Sequence, residues 1–244
     1  MTIASLNLSA AHPSWHTCLQ QALRRLNPSY LKILLQSHTW LPGPDKIFNA
    51  FSLPLPHVKY VLFGESPYPR QASANGFAFW DAAVTELWSP KGLSKQVNRA
   101  TSLRNMLKML LIAEGALTPD NCSQAAIARL DKRSFVDTGN ALFNNFIQRG
   151  FLLLNATPVL NVNTPHKDAR AWRPFTQLIL NHLLNEQPNV SLILLGRIAR
   201  EIDPLISCTS KQKLYAEHPY NLSFISNPVI RHFFSTLHLL KRPH

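Results

Sequence analysis

Cysteine is scarce in this chain and never clustered. Cys18, Cys122 and Cys208 stand far apart among 244 residues, odd in number and without a CxxC spacing. That pattern supports neither a disulfide framework nor a zinc or iron–sulfur site, and it predicts a cytoplasmic protein with no metal and no cofactor. Glycine is sparse too, 8 residues against 18 prolines, which predicts fixed loops rather than floppy linkers. No apolar run approaches the roughly 20 residues that cross a bilayer. No basic amphipathic helix with a clean apolar face is evident, so no membrane partner is expected. Met1–Ser5 carries no basic stretch leading into an apolar core, and no secretory signal is expected. Acidic residues are also few: 13 Asp and Glu against 25 Lys and Arg, a net charge of +12. Such an excess attracts polyanions through counterion release, so nucleic acid leads the partners; a merely solvated basic surface is the plain alternative.

What is present is an alternation of helical and strand patterns. Helices are expected over Trp15–Leu26, over Asp45–Phe51 with Asp45 as N-cap, and after Ser102 through Leu103, Met106, Leu107 and Leu110. Further helices are expected over Phe135–Arg149, Phe175–Leu184 and Val229–Leu240. Strands are expected at Val58–Phe63, Phe151–Leu154, Val190–Leu195 and Lys213–Ala216. The first three are continuous apolar runs, as parallel strands covered on both faces require. No repeat or linker interrupts the chain. The expected architecture is α/β, a single domain over residues 1–244 with a central, mostly parallel four-stranded sheet flanked by helices.

Three of these strands run into polar chemistry. Val58–Phe63 leads into Gly64-Glu65-Ser66-Pro67-Tyr68, Phe151–Leu154 into Asn155, and Lys213–Ala216 into Glu217-His218-Pro219. If the strands are parallel, these groups meet at the sheet edge where open α/β folds place ligands. The bland reading is that Gly and Pro there only punctuate turns.

With those residues placed, the chain resembles the uracil-DNA glycosylases, family 1 above all. Gly64-Glu65-Ser66-Pro67-Tyr68-Pro69 stands where that family has GQDPYH. The segment Leu41–Phe51 resembles its lead-in, Gly76-Phe77-Ala78-Phe79 the stretch with the uracil-stacking Phe, and Ser102-Leu103-Arg104-Asn105 the SLxN loop. Leu152-Leu153-Leu154-Asn155 matches LLLN, Trp172 with Phe175-Thr176 is similar to GWxxFT, and His218–Ser223 stands for HPSPLS. Each fragment is short, but they occur in the family's order across most of the chain.

The resemblance implies a reaction. Uracil must leave the base stack, and its N-glycosidic bond breaks through a cation-like sugar and an anionic base, leaving an abasic site. Phe79 would stack on the base, with an ordinary core Phe as the alternative. Tyr68 would fill the space beside uracil C5 and exclude the methyl of thymine. Asn155, which carries both donors and an acceptor, would pair with the O4/N3 edge; its alternative is capping a turn. His218 would donate to O2 as charge grows there. Leu222 resembles the wedge that fills the emptied stack, against simple packing. Ser102, Ser223 and Arg231 would contact DNA phosphates, which fix position rather than base choice. A monomer acting on uracil in single- or double-stranded DNA is the expectation.

The chain departs from the family at one acidic position. Ser66 replaces the Asp that positions water and stabilises the sugar cation, and Pro69 replaces a His. A hydroxyl holds water but brings no charge, which predicts reduced activity. Glu65 stands where the family 4 enzymes have a Glu, and it is the candidate compensating charge, although the iron–sulfur cysteines of that group are missing. A glycosylase-like DNA-binding protein with little or no catalysis is the rival reading, and an altered base preference a third.

Overall fold

Strand formation follows the apolar runs, because only a backbone paired on both sides can bury them without leaving peptide groups unsatisfied. The computed structural model describes residues 6–37, 39–206 and 212–243. Cys208 and the Met1–Ser5 segment lie outside the described residues. In chain order come helices α1 (His16–Leu23) and α2 (Pro28–Gln36), strand β1 (Tyr60–Gly64), and the paired strands β2 (Trp88–Ser89) and β3 (Gly92–Leu93). Helices α3 (Lys95–Arg99), α4 (Thr101–Ala113), α5 (Gln124–Ala128) and α6 (Gly139–Gln148) follow. Then come β4 (Phe151–Asn155), α7 (Pro165–Glu186), β5 (Ser191–Leu195), α8 (Ile198–Ile202), β6 (Lys213–Ala216) and α9 (Pro228–Ser235).

The architecture is α/β. Its four-stranded sheet has the order β4-β1-β5-β6. β1 is parallel to β4, with Tyr60 opposite Phe151 and Gly64 opposite Asn155, and parallel to β5, with Tyr60 opposite Ser191. Every residue of β4 is buried, whereas β6 at the edge has no buried position. Contacts divide the chain into two units, Met1–Ala78 with Gly150–Leu214 and Phe79–Arg149 with Tyr215–His244.

The first unit holds β1, β4 and β5, with α1 packed on α7. Trp15, Phe48, Phe51, Trp172 and Phe175 are its large buried side chains, and truncating one to Ala would cost about 3–5 kcal/mol. The buried Asp168 carboxylate accepts from the Tyr30 hydroxyl at 2.7 Å and from the Asn161 N–H at 2.6 Å; Trp172 Nε1 donates to that hydroxyl at 3.1 Å. This network pins the start of α7 to α2, so Trp172 serves packing. The Cys18 thiol, also buried here, is pushed up to about 12 by desolvation.

The second unit packs α4, α6 and α9. Its core includes Phe143, Phe146 and Phe234, and Asn145 Nδ2 donates to the carbonyls of Leu239 at 2.8 Å and Lys241 at 2.7 Å. Among the described residues, no helix is long and apolar enough to cross a membrane.

Several expectations need correction. Asp45 caps no α-helix: it is exposed, and the segment makes i→i−3 turns that end in a 3-10 helix over Asn49–Ser52. The reason lies outside the segment, since the Asn49 side chain donates to the Asn75 carbonyl and a Cβ at Gly76 would overlap the Lys46 carbonyl. Ser102 lies inside α4, whose N-cap is Ala100. Phe135 and Val136 are extended and bond the C-terminal segment, and Thr138 caps α6 instead. α7 begins ten residues before Phe175, at Pro165, and carries Pro174 inside it. α9 stops at Ser235 rather than Leu240, and His238 adopts φ 50°.

Candidate active site

The ends of β1 and β4 carry the candidates of the first unit. Gly64 faces Asn155 in register, and the ladder continues past the strands, Ala156 N–H donating to Gly64 O and Thr157 N–H to Glu65 O. A Cβ on Gly64 would lie 2.5 Å from Asn155 Oδ1 and 2.9 Å from the Ala78 Cβ. Glycine is therefore required here for close approach, not for an unusual φ. Asn155 is only 4% exposed, so its carboxamide is held in one place by packing. Thr176, from α7, donates to the Ala156 carbonyl at 2.7 Å and buttresses the same strand end.

Around the first motif, Pro67 is buried while Ser66 and Tyr68 are half-buried. Glu65 points into solvent and meets Arg197 at 3.8 Å, with both side chains largely exposed. A pair so exposed is screened and weak.

The second unit carries the other candidates. Phe79 has φ 62°, the left-handed region that a bulky residue rarely enters. Such strain persists only where the surroundings over-determine it. The next residue, Trp80, stacks on Phe143 of α6 with centroids 5.3 Å apart, and the buried Asp81 accepts from the Ala83 N–H. Phe79 itself is half-buried and lies 5.9 Å from the His218 ring at an interplanar angle of 29°. It is not an ordinary core residue.

His218 is oriented from behind. Tyr220 N–H donates to its Nδ1 at 3.1 Å, so in the neutral ring Nδ1 is the acceptor and the proton sits on Nε2. The loop that follows is tied down by Asn105 of α4, fully buried, whose Nδ2 donates to the Pro219 carbonyl at 2.7 Å. Glu217 closes the loop's other side, accepting from Asn227 Nδ2 at 2.7 Å. Burial raises the Glu217 carboxyl, but hydrogen bonds from its own backbone, the Ser223 hydroxyl and Asn227 outweigh it and hold the group below its ordinary value.

The remaining candidates are spread over the same unit. Leu222 is 71% exposed and begins a 3-10 helix, so simple packing does not describe it. Ser223 is exposed, though its hydroxyl serves Glu217. Arg231 on α9 is half-buried, and its Nε is buried without an acceptor among the described residues. Ser102 is half-buried within α4. Among the described residues no group of His, Cys, Asp and Glu is arranged to hold a metal ion. The sequence reading quoted Asn105 only as part of the SLxN fragment and missed its role as the tether of the loop; it placed Gly64 in the first motif, but the close approach that requires a glycine there shows in no local pattern.

One unit is an α/β unit whose parallel strands end in a packed carboxamide, and the other carries a loop that presents an oriented imidazole and an exposed apolar side chain. Comparison with known proteins narrows this. The wild-type UNG crystal structure from Nitratifractor salsuginis matches with a TM-score of 0.92 and 40% identity, covering 98% of this chain and 96% of that one. A uracil-DNA glycosylase of Francisella philomiragia subsp. philomiragia is 28% identical over 220 residues, 86% of each chain. The mimivirus uracil-DNA glycosylase, 18% identical with a TM-score of 0.60 over 87% of this chain and 71% of that one, shares the fold. No family model matches the chain. The chain belongs to the uracil-DNA glycosylase family.

Proposed function

We propose that this protein is a DNA-repair hydrolase that flips uracil out of DNA and cleaves its N-glycosidic bond, with residues 1–244 acting as one domain. The observation that carries the reading is the tautomer of His218. With Nδ1 accepting from the Tyr220 N–H, the ring proton of the neutral imidazole sits on Nε2, the atom that donates to uracil O2 as the base departs with its bonding electrons. A preorganised donor aimed at developing charge is worth about 10²–10³ in rate. Asn155 reads the O4/N3 edge, Phe79 stacks on the ring, and Tyr68 fills the space beside C5 so that thymine is rejected.

Leu222 enters the duplex where the nucleotide has left, which its exposure permits, and the half-buried Arg231 contacts a phosphate through its guanidinium. Ser102 and Ser223 supply weaker phosphate contacts. Ser66 holds the attacking water through its hydroxyl, and Glu65 supplies the negative charge facing the sugar cation. Because Glu65 is exposed and shared with Arg197, its field is weak and the rate is below that of an enzyme with an Asp at position 66. The protein works as a cytoplasmic monomer on single- and double-stranded DNA.

The test is incubation with uracil-containing single- and double-stranded oligonucleotides followed by alkaline cleavage at abasic sites. Cleavage by the wild type is expected, and Glu65→Gln should lower the rate while Ser66→Asp raises it. DNA binding without cleavage at high protein concentration would favour the non-catalytic reading. An unchanged rate in Glu65→Gln would remove that residue from the mechanism.

A further inference from the structure

Helix α7 places cations where helix electrostatics disfavours them. Lys167, Arg170 and Arg173 lie in its first half, with His166 beside them, and all four are exposed. Lys167, in the first turn, opposes the helix dipole. Lys167 with Arg170, and Arg170 with Arg173, are like-charge pairs three residues apart, which also destabilises. Asp168, the acid of the first turn, is buried and spent on Tyr30 and Asn161; Glu201 lines the same cavity as Arg170 and Arg173, but no ion pair involving these cations occurs among the described residues. A sequence that breaks local rules this consistently is compensated elsewhere, by a ligand that supplies the missing charge.

The surface around them is shaped as a track. A cavity of about 300 Å³ beside Ala156 and Thr157 is lined by Arg170, Arg173 and Glu201. It shares Arg170 with a cleft of about 760 Å³ that adds His166, Lys167 and Arg25. That cleft shares Arg25 and Pro174 with a third, of about 470 Å³, reaching His182 and Asn185. From Ala169 to Asn185 the helix runs ~24 Å, about seven phosphates of one B-form strand at ~3.4 Å each. The track starts at the two residues that follow Asn155.

We propose that this face of α7, with Arg25, binds the phosphodiester backbone of the DNA flanking the uracil. The proposal rests on the reading of the chain as a DNA glycosylase, and it assigns the cations to sequence-independent positioning. An acidic peptide is the other polyanion the face would suit.

The test is binding of a uracil-free 30-mer, single-stranded and duplex, at several salt concentrations. Arg170→Glu/Arg173→Glu should weaken binding on the order of tenfold per lost contact near 0.1 M salt, and reduce the slope of log K against log salt by ~1 per contact. The loss in uracil release should fall on KM. Arg170→Gln/Arg173→Gln, which adds no repulsion, covers the case in which reversal disturbs folding and should show the same flattening of the salt slope. Lys91→Glu/Arg149→Glu removes two exposed cations elsewhere with the same change in net charge. Equal weakening by that variant, or unchanged affinity and slope in both α7 variants, would overturn the proposal, and an acidic peptide displaced by the α7 substitutions while DNA is retained would do the same. If the wild type releases no uracil but the α7 variants still lose DNA binding, the catalytic reading fails and the track stands.

Discussion

The strand ends at Gly64 and Asn155 and the loop from Glu217 to Ser223 hold their functional groups by opposite means. Asn155 is fixed by steric packing: it is 4% exposed, with a glycine opposite that leaves no space for a methyl group. His218 and Leu222 are presented by a loop tethered through hydrogen bonds from Asn105, Asn227 and Tyr220, and Leu222 remains 71% exposed. A group that reads a base benefits from having no alternative position. A group that enters a duplex must start in solvent, and polar tethers keep its loop in place without burying it. The first arrangement should therefore fail through crowding, the second through lost hydrogen bonds.

The largest expected effect in this comparison is at the packed end. Asn155→Ala should lower uracil release about 10²–10³-fold, with little change in DNA affinity, read by single-turnover kinetics and a binding titration. Gly64→Ala should act through the same group without touching its chemistry. The added methyl must displace the carboxamide or the backbone at 78, and misplacement of about 1 Å costs about 10²-fold in rate, with about 1–3 kcal/mol of stability lost to overpacking. A Gly64→Ala protein of normal rate would show that Asn155 is not fixed by packing.

Asn105→Ala comes next. It leaves the Pro219 carbonyl without its partner, a cost of about 1–3 kcal/mol, and it should release the loop. Faster hydrogen exchange at Tyr220, with a moderate loss in rate, is the expected pair of results. Unchanged exchange would mean that the loop holds itself.

The smallest effect is a pH dependence. Glu217 sits below its ordinary value of 4.5, so its contribution is complete above that pH and is lost as pH falls through the folded value. Thermal melts between pH 3 and pH 6 should show the wild type losing stability at the acid end, while Glu217→Gln lacks this group's share of the slope.

The strands that carry the candidate residues were legible in the sequence because strand ends leave a sharp signature. The apolar run ending in Asn155 maps onto β4 within one residue, and β6 matches its expected bounds. Boundaries failed where backbone groups distant in sequence decide: the Asn75 carbonyl accepts from the Asn49 amide, and the extended Phe135–Val136 bonds the C-terminal segment. α2 carried its own signal in the Asn27 cap and Pro28, but its short apolar pattern was overlooked. The role of Gly64 had no local trace, since what demands a glycine lies ninety-one positions along the chain at Asn155. The tautomer of His218 depends on a backbone N–H two residues away, which only the folded loop brings into place.

The central claim is that an Nε2–H of His218 stabilises the departing uracil anion. Single-turnover uracil release by the wild type and by His218→Ala, at equal occupancy of the same oligonucleotide, tests it most directly. The account predicts measurable release by the wild type and a fall of about 10²–10³-fold in the variant with DNA binding retained. Equal rates in the two proteins, or a wild type that binds uracil-containing DNA and never cleaves it, would contradict it.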